Sequence, residues 1–126
     1  VIVLGHVDHG KTSLVRTLTG METDRLPEEK ARGLSITPGF AYQQYGDVMI
    51  DFIDAPGHRD FIRAMVSGAS GARAALIVIS ALGGVQEQTL EHLEIIEALG
   101  IVEGVVAVTQ SDRISRADYA ACEKRL

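Results

Sequence analysis

Four continuous apolar runs recur along the chain: Val1-Ile2-Val3-Leu4, Val48-Met49-Ile50-Asp51-Phe52-Ile53, Ala74-Ala75-Leu76-Ile77-Val78-Ile79 and Val105-Val106-Ala107-Val108. Short runs rich in β-branched side chains predict strands buried on both faces of a sheet. Between them lie stretches of helical length. Ser13-Leu14-Val15-Arg16-Thr17-Leu18 favours a helix, and from Gln88 to Leu99 leucine and isoleucine recur at three- and four-residue steps before Gly100. This alternation predicts an α/β fold, a doubly wound, mostly parallel sheet with helices on both faces. Gly39-Phe40-Ala41-Tyr42-Gln43-Gln44-Tyr45 followed by Gly46-Asp47 predicts an exposed strand and a hairpin turn into the Val48 strand.

The interval 20–38 breaks the pattern: it is charged, without apolar periodicity, and lies between the first helix and the next strands. Loops this long inside compact domains are functional or mobile. No internal repeat or low-complexity tract interrupts the rest.

With 126 residues, the chain predicts one domain, residues 1–126, with a real core. The absent initial methionine and the stop at Leu126 inside an amphipathic pattern predict a piece of a longer multidomain protein. No apolar run approaches the roughly 18 residues of a membrane span, so a soluble domain without membrane contact is expected. The single cysteine, Cys122, excludes an internal disulfide, suits a reducing cytoplasm, and reads as an ordinary helix residue. A net charge of −5 and few aromatics argue against a broad surface for gripping or stacking nucleic acid.

The chemistry concentrates directly after the first strand. Gly5-His6-Val7-Asp8-His9-Gly10-Lys11-Thr12 is a Gly-x-x-x-x-Gly-Lys-Thr phosphate loop, followed by Ser13 at the start of a helix. Glycines let the backbone curl so that successive N–H groups and the positive helix end face phosphate oxygens. Lys11 supplies a cation for the outer phosphates, and the Thr12 hydroxyl is placed to ligate Mg²⁺. A P-loop NTPase fold follows, with the ligand beyond the carboxyl ends of the strands. His6 and His9 shape this loop rather than bind a metal.

Three further elements fall at matching places. Asp54-Ala55-Pro56-Gly57-His58 ends a strand: Asp54 suits Mg²⁺, the Gly57 N–H suits the terminal phosphate, and losing that phosphate releases the loop. Arg32-Gly33-Leu34-Ser35-Ile36 supplies the Ser35 hydroxyl, either to the metal or as a cap or turn residue. Thr109-Gln110-Ser111-Asp112 follows the last strand, where the Asp112 carboxylate can accept from guanine N1–H and the exocyclic amine, a pairing adenine does not offer. His58 is the candidate catalytic group for orienting an attacking water, whereas His92 reads as a surface histidine.

Together these motifs resemble the G domain of the translational GTPases, the group that includes elongation factor Tu. Within that group Thr23-Asp24-Arg25-Leu26-Pro27-Glu28-Glu29-Lys30-Ala31-Arg32-Gly33 is most similar to the selenocysteine-specific elongation factors. The resemblance implies GTP and GDP as ligands, with Gly5, His6, Val7, Asp8, His9, Gly10, Lys11, Thr12, Ser13, Gly57, Thr109, Gln110 and Asp112 at the nucleotide. It implies Mg²⁺ on Thr12, Ser35 and Asp54, a monovalent cation near Asp8, and catalysis by His58, held back by apolar gates at Val7 and Leu34 until the ribosome acts. It also implies a monomeric cytoplasmic enzyme delivering selenocysteinyl-tRNA to the ribosome, with the tRNA and messenger element gripped by other domains. The alternatives are a different aminoacyl- or initiator tRNA, or a weakly nucleotide-binding, non-hydrolysing scaffold.

Departures from the family's pattern are specific. Gln110 stands where the family usually has a lysine that braces the phosphate loop. Thr109 replaces an asparagine, as is familiar in selenocysteine-specific factors. Ala81-Leu82-Gly83-Gly84-Val85 lacks the usual acidic pair, and Ser35 stands for threonine.

Overall fold

The computed structural model describes residues 1–24, 26, 28, 36–58, 62–115 and 118. The predicted alternation is realised as β1 (Ile2–Leu4), α1 (Lys11–Thr19), β2 (Gly39–Tyr45), β3 (Val48–Asp54), α2 (Ile62–Ala69), β4 (Ala74–Ser80), α3 (Glu87–Ala98) and β5 (Glu103–Thr109), then a 3₁₀ turn at Ser111–Arg113. Helix ends fall where glycine allows a left-handed residue: Gly20 closes α1 with φ 72°, and Gly100, φ 76°, follows α3.

The five strands lie in the order β2-β3-β1-β4-β5. β2 runs antiparallel to β3 as the predicted hairpin, with Tyr45 opposite Val48 around Gly46-Asp47. The other neighbours are parallel, with Val3 beside Asp54 and Leu76, and Ser80 beside Thr109. All four parallel strands therefore deliver their carboxyl ends to one edge. β1 is the switch point, its two neighbours connected in opposite directions, and such a point opens a ligand crevice.

Period-two alternation in β1 feeds two cores. Ile2 and Leu4 pack with Ala55, Met65, Ala69, Ala75 and Ile96 beneath α2 and α3. Val3 points to the other face, with Val15 of α1, Ala41, Phe52 and Val78. Burying each aliphatic chain contributes about 1.5–3 kcal/mol, so a strand of three residues is anchored from both sides.

The expectation of strands buried on both faces holds for β1 and fails for β5. Val105 is 65% exposed and Val106 46%. β5 is paired with β4 and is the outermost strand of the described sheet; its apolar run marks strand propensity rather than burial. Val48 and Met49 at the hairpin tip are exposed for the same reason of position. Among the described residues, no helix is long and apolar enough to cross a membrane.

Candidate functional site

The loop from Gly5 to Gly10 joins β1 to α1 at the switch point. Gly5 sits at φ 147°, and a Cβ there would collide with the Val78 carbonyl of β4; only glycine lets the chain leave the sheet this closely. Gly10, φ 84°, caps α1, so Lys11, Thr12 and Ser13 form the first turn, whose N–H groups are unused by the helix. The Gly10 carbonyl accepts from Leu14 N–H at 2.9 Å, closing that turn.

Lys11 is 7% exposed, and its ammonium donates to the His6 carbonyl at 2.9 Å. Burial pushes its pKa down to about 8, opposed by the Asp54, Asp8 and Asp24 carboxylates. A cation buried this far is costly to keep charged, and phosphate oxygens beside it would favour the ammonium.

Asp54 ends β3 and is 1% exposed. Its Oδ2 accepts the Thr23 hydroxyl at 2.6 Å, and the Thr12 hydroxyl also hydrogen-bonds the carboxylate. Burial raises the Asp54 pKa, against the hydroxyls and Lys11. Its Oδ1 is buried without a hydrogen-bond partner among the described residues. An orphaned carboxylate oxygen joined to a threonine hydroxyl fits a hard, oxygen-seeking cation such as Mg²⁺. No group of three His, Cys, Asp or Glu side chains suited to a metal occurs among the described residues. The donor set at hand is thus the kind Mg²⁺ shares with phosphates and water.

Gly57 approaches the loop from β3's side. A Cβ on it would strike the Lys11 ammonium and lie 2.9 Å from the Gly5 carbonyl and 3.1 Å from the Val7 nitrogen. The Asp-x-x-Gly element and the phosphate loop therefore share one cradle. His58 follows, half-buried. Ser35, Leu34 and the Arg32-Gly33 pair, like Cys122, lie outside the described residues.

His6 and His9 form a tilted pair with ring centroids 5.2 Å apart. His9 is 4% exposed, its Nδ1 lies 3.4 Å from the Val78 carbonyl, and burial lowers its pKa.

The last element is tied to the loop by side chains. The Thr109 hydroxyl donates to the His9 carbonyl at 2.7 Å, and the Gln110 amide donates to the Asp8 carbonyl at 3.0 Å. The two departures from the family's asparagine and lysine thus both grip the phosphate loop, without a charge. Gln110 in turn accepts the Ser80 hydroxyl at 2.6 Å. Asp112 is exposed within the 3₁₀ turn.

Two expectations need additions. His92 is no surface residue: it is 2% exposed, its Nδ1 lacks a partner among the described residues, and its pKa is lowered to about 4, first by burial and then by Lys11 and His6. Thr89, His92 and Ile96 are the buried positions of α3, and that three- and four-residue spacing marks the inward stripe. Thr23, the first residue of the polar string that ends at Gly33, and Ser80, which carries no motif, are further polar partners of the site.

Comparison with known proteins agrees with this geometry. The sequence profile of the elongation factor Tu GTP binding domain matches residues 1–126. The chain is 51% identical over 111 residues to the selenocysteine-specific elongation factor of Desulfomicrobium baculatum, covering 87% of this chain and 18% of that protein. It is 42% identical over 127 residues to the Escherichia coli (strain K12) protein of the same name, covering 100% of this chain and 21% of that one. A crystal structure of a bacterial selenocysteine-specific elongation factor, EF-Sec, superposes with a TM-score of 0.93 at 41% identity, over 99% of this chain and 22% of that one. Elongation factor SelB of Methanococcus maripaludis, in complex with the GTP analogue GppNHp, superposes with a TM-score of 0.82 at 35% identity, over 98% and 24%. The chain spans about a fifth of the length of the curated relatives it matches. The chain belongs to the elongation factor Tu GTP-binding domain family of translational GTPases.

Proposed function

We propose that this chain binds and hydrolyses GTP as the G domain of an elongation factor that delivers selenocysteinyl-tRNA to the ribosome. The observation that carries the nucleotide reading is the shared cradle, in which Lys11, Gly57 and the loop backbone converge on a volume that no Cβ can enter. The similarity to selenocysteine-specific factors supports the cargo. Ribosome, tRNA and messenger contacts belong mainly to parts of such factors outside these residues, and a monomer in the cytoplasm suits the role.

In this reading Lys11 and the N–H groups of residues 5–13 hold the phosphates, and the Gly57 N–H senses the terminal one. Thr12 and Asp54 would hold Mg²⁺, joined by Ser35, and the ion supplies charge neutralisation at the phosphates. The exposed Asp8 is assigned a monovalent cation, and Val7 with Leu34 the gate. Thr109 and Gln110 fix the loop, and Asp112 reads guanine. His58 orients the attacking water when the ribosome closes the site; protein groups in phosphoryl transfer act by positioning and charge stabilisation.

The test is binding of mant-labelled GTP, ATP and xanthosine triphosphate to the full-length protein and its Asp112→Asn variant. The wild type should select GTP by about 10⁴, and Asp112→Asn should shift preference toward the xanthine nucleotide because donor and acceptor are exchanged. Preference for ATP, or no binding at millimolar GTP, would overturn the reading. Ribosome-stimulated hydrolysis should require His58 and be promoted by selenocysteinyl-tRNA over ordinary aminoacyl-tRNA; equal promotion by both would move the cargo to the general type.

A further inference from the structure

Among the described residues, the non-glycine residues with left-handed backbone are Asp8, φ 62°, and Gln110, φ 56°. They are hydrogen-bonded to each other, Gln110 Nε2 donating to the Asp8 carbonyl. A strained conformation persists where its surroundings over-determine it, so two such residues joined directly across 102 positions mark a contact the fold enforces.

Ser80 explains how the contact is held. Its hydroxyl oxygen accepts the N–H groups of Leu82 at 3.2 Å and Gly83 at 3.4 Å, which leaves its own proton for Gln110 Oε1 at 2.6 Å. With Oε1 committed to Ser80, the carboxamide presents its NH₂ to Asp8. Ser80 is 2% exposed at the end of β4, a rigid base for this chain of donors. The chain runs from the 81–83 turn through Ser80 and Gln110 into the phosphate loop, beside Asp112. A lysine at position 110 could reach the same carbonyl but has no acceptor for the Ser80 proton.

We infer that Ser80 is a positioning residue of the nucleotide site: through Gln110 it clamps the Asp8 carbonyl, a neutral brace that ties the base-reading segment to the phosphate loop and slows nucleotide release. The inference rests on the guanine-nucleotide reading of the site for its effect on release. The brace itself is made by protein groups alone.

The experiment is a double-mutant cycle in the full-length protein, following release of mant-GDP by stopped flow. Ser80→Ala should speed release about fivefold, the worth of one well-made hydrogen bond. In a Gln110→Lys background the same Ser80→Ala change should speed release less, by about that fivefold factor, because the lost Leu82 and Gly83 contacts are common to both arms and cancel in the ratio of the two accelerations. Equal acceleration in both backgrounds, or none in the first, overturns the inference. If Ser80→Ala does not fold, Gln110→Glu decides: it keeps the acceptor for Ser80 but has no donor for Asp8, so it should speed release by at least the same factor, and unchanged release overturns the brace. Amide hydrogen exchange at residues 8–10 in the nucleotide-free protein reads the brace separately, rising severalfold in Ser80→Ala and in Gln110→Glu. If folded wild type binds no mant-GDP, the nucleotide reading falls, while the exchange rates still decide the brace.

Discussion

The Thr23 hydroxyl donates to Asp54 Oδ2 at 2.6 Å, linking the start of the long polar loop to the carboxylate that ends β3. That contact and the Thr12 hydroxyl work against burial, which nonetheless keeps the Asp54 pKa above its ordinary value of 3.8. Between 3.8 and the raised value the folded chain binds more protons than the unfolded one, so stability falls as pH rises through that window, and the full cost is present above it. Asp54→Asn removes this cost while keeping a group that Thr23 and Thr12 can bond. The nucleotide-free variant should be more stable than wild type by about 1 kcal/mol at pH 7 in urea unfolding, and Mg²⁺ should no longer slow its GDP release. A less stable variant would show that the ionised carboxylate is a net stabiliser here.

Gly57 has no room for a side chain against Lys11, Gly5 and Val7. Gly57→Ala must push the Asp-x-x-Gly segment away from the loop. GDP, which lacks the terminal phosphate, should bind within about threefold of wild type, whereas preference for a GTP analogue over GDP should drop by about tenfold, the loss of one charge-assisted hydrogen bond. Parallel titrations with both nucleotides check this; an equal loss for both would place Gly57 in the fold rather than in phosphate sensing.

How much of this was legible in the sequence depends on the range of the interaction. The phosphate loop, the Asp54–Gly57 element and the alternation of strands and helices are local patterns, and the structure places them together because parallel strands share one carboxyl edge. The role of Gln110 is not legible: it stands where the family usually has the bracing lysine, yet its own amide makes the loop contact, with Ser80, 30 residues away, on its oxygen. Thr23 belongs to a polar interval without periodicity, so nothing in its neighbourhood announces Asp54 as its partner. His92 was misread from its chemistry alone, although its spacing from Thr89 and Ile96 puts it on the buried stripe of α3. Exposure of β5 is not legible because an apolar run records β-propensity and says nothing of what packs on the strand's two faces.

Lys11 couples the nucleotide to protons. An unfolded lysine keeps its proton to about 10.5 and the folded one to about 8. Between these values the unfolded chain binds more protons, so the stability of the nucleotide-free protein rises with pH across that window. Phosphates beside Lys11 favour the ammonium and should restore it. Nucleotide binding at pH 8.5 should therefore take up about three-quarters of a proton, and about a tenth of one at pH 7. Calorimetry in two buffers of different ionisation enthalpy measures this uptake, and it should vanish in Lys11→Met to the extent that binding survives; pH-independent protonation in the wild type would contradict a lowered Lys11.

His92 sets the acid limit. Its ring is buried, unpartnered at Nδ1 among the described residues, and faces the field of Lys11 and His6, which holds its pKa near 4 against 6.5 in an unfolded chain. Between pH 4 and 6.5 the unfolded state binds more protons, so this histidine makes the protein lose stability as pH falls through 6.5, by about 1–2 kcal/mol at pH 5 relative to pH 7. His92→Leu places an aliphatic chain on the same stripe as Ile96 and removes the titration. Urea midpoints from pH 7 down to 5 should fall less steeply in the variant than in wild type, by that amount. Parallel slopes would mean that the wild-type ring gains its proton without unfolding, through a donor or acceptor that moves to meet it.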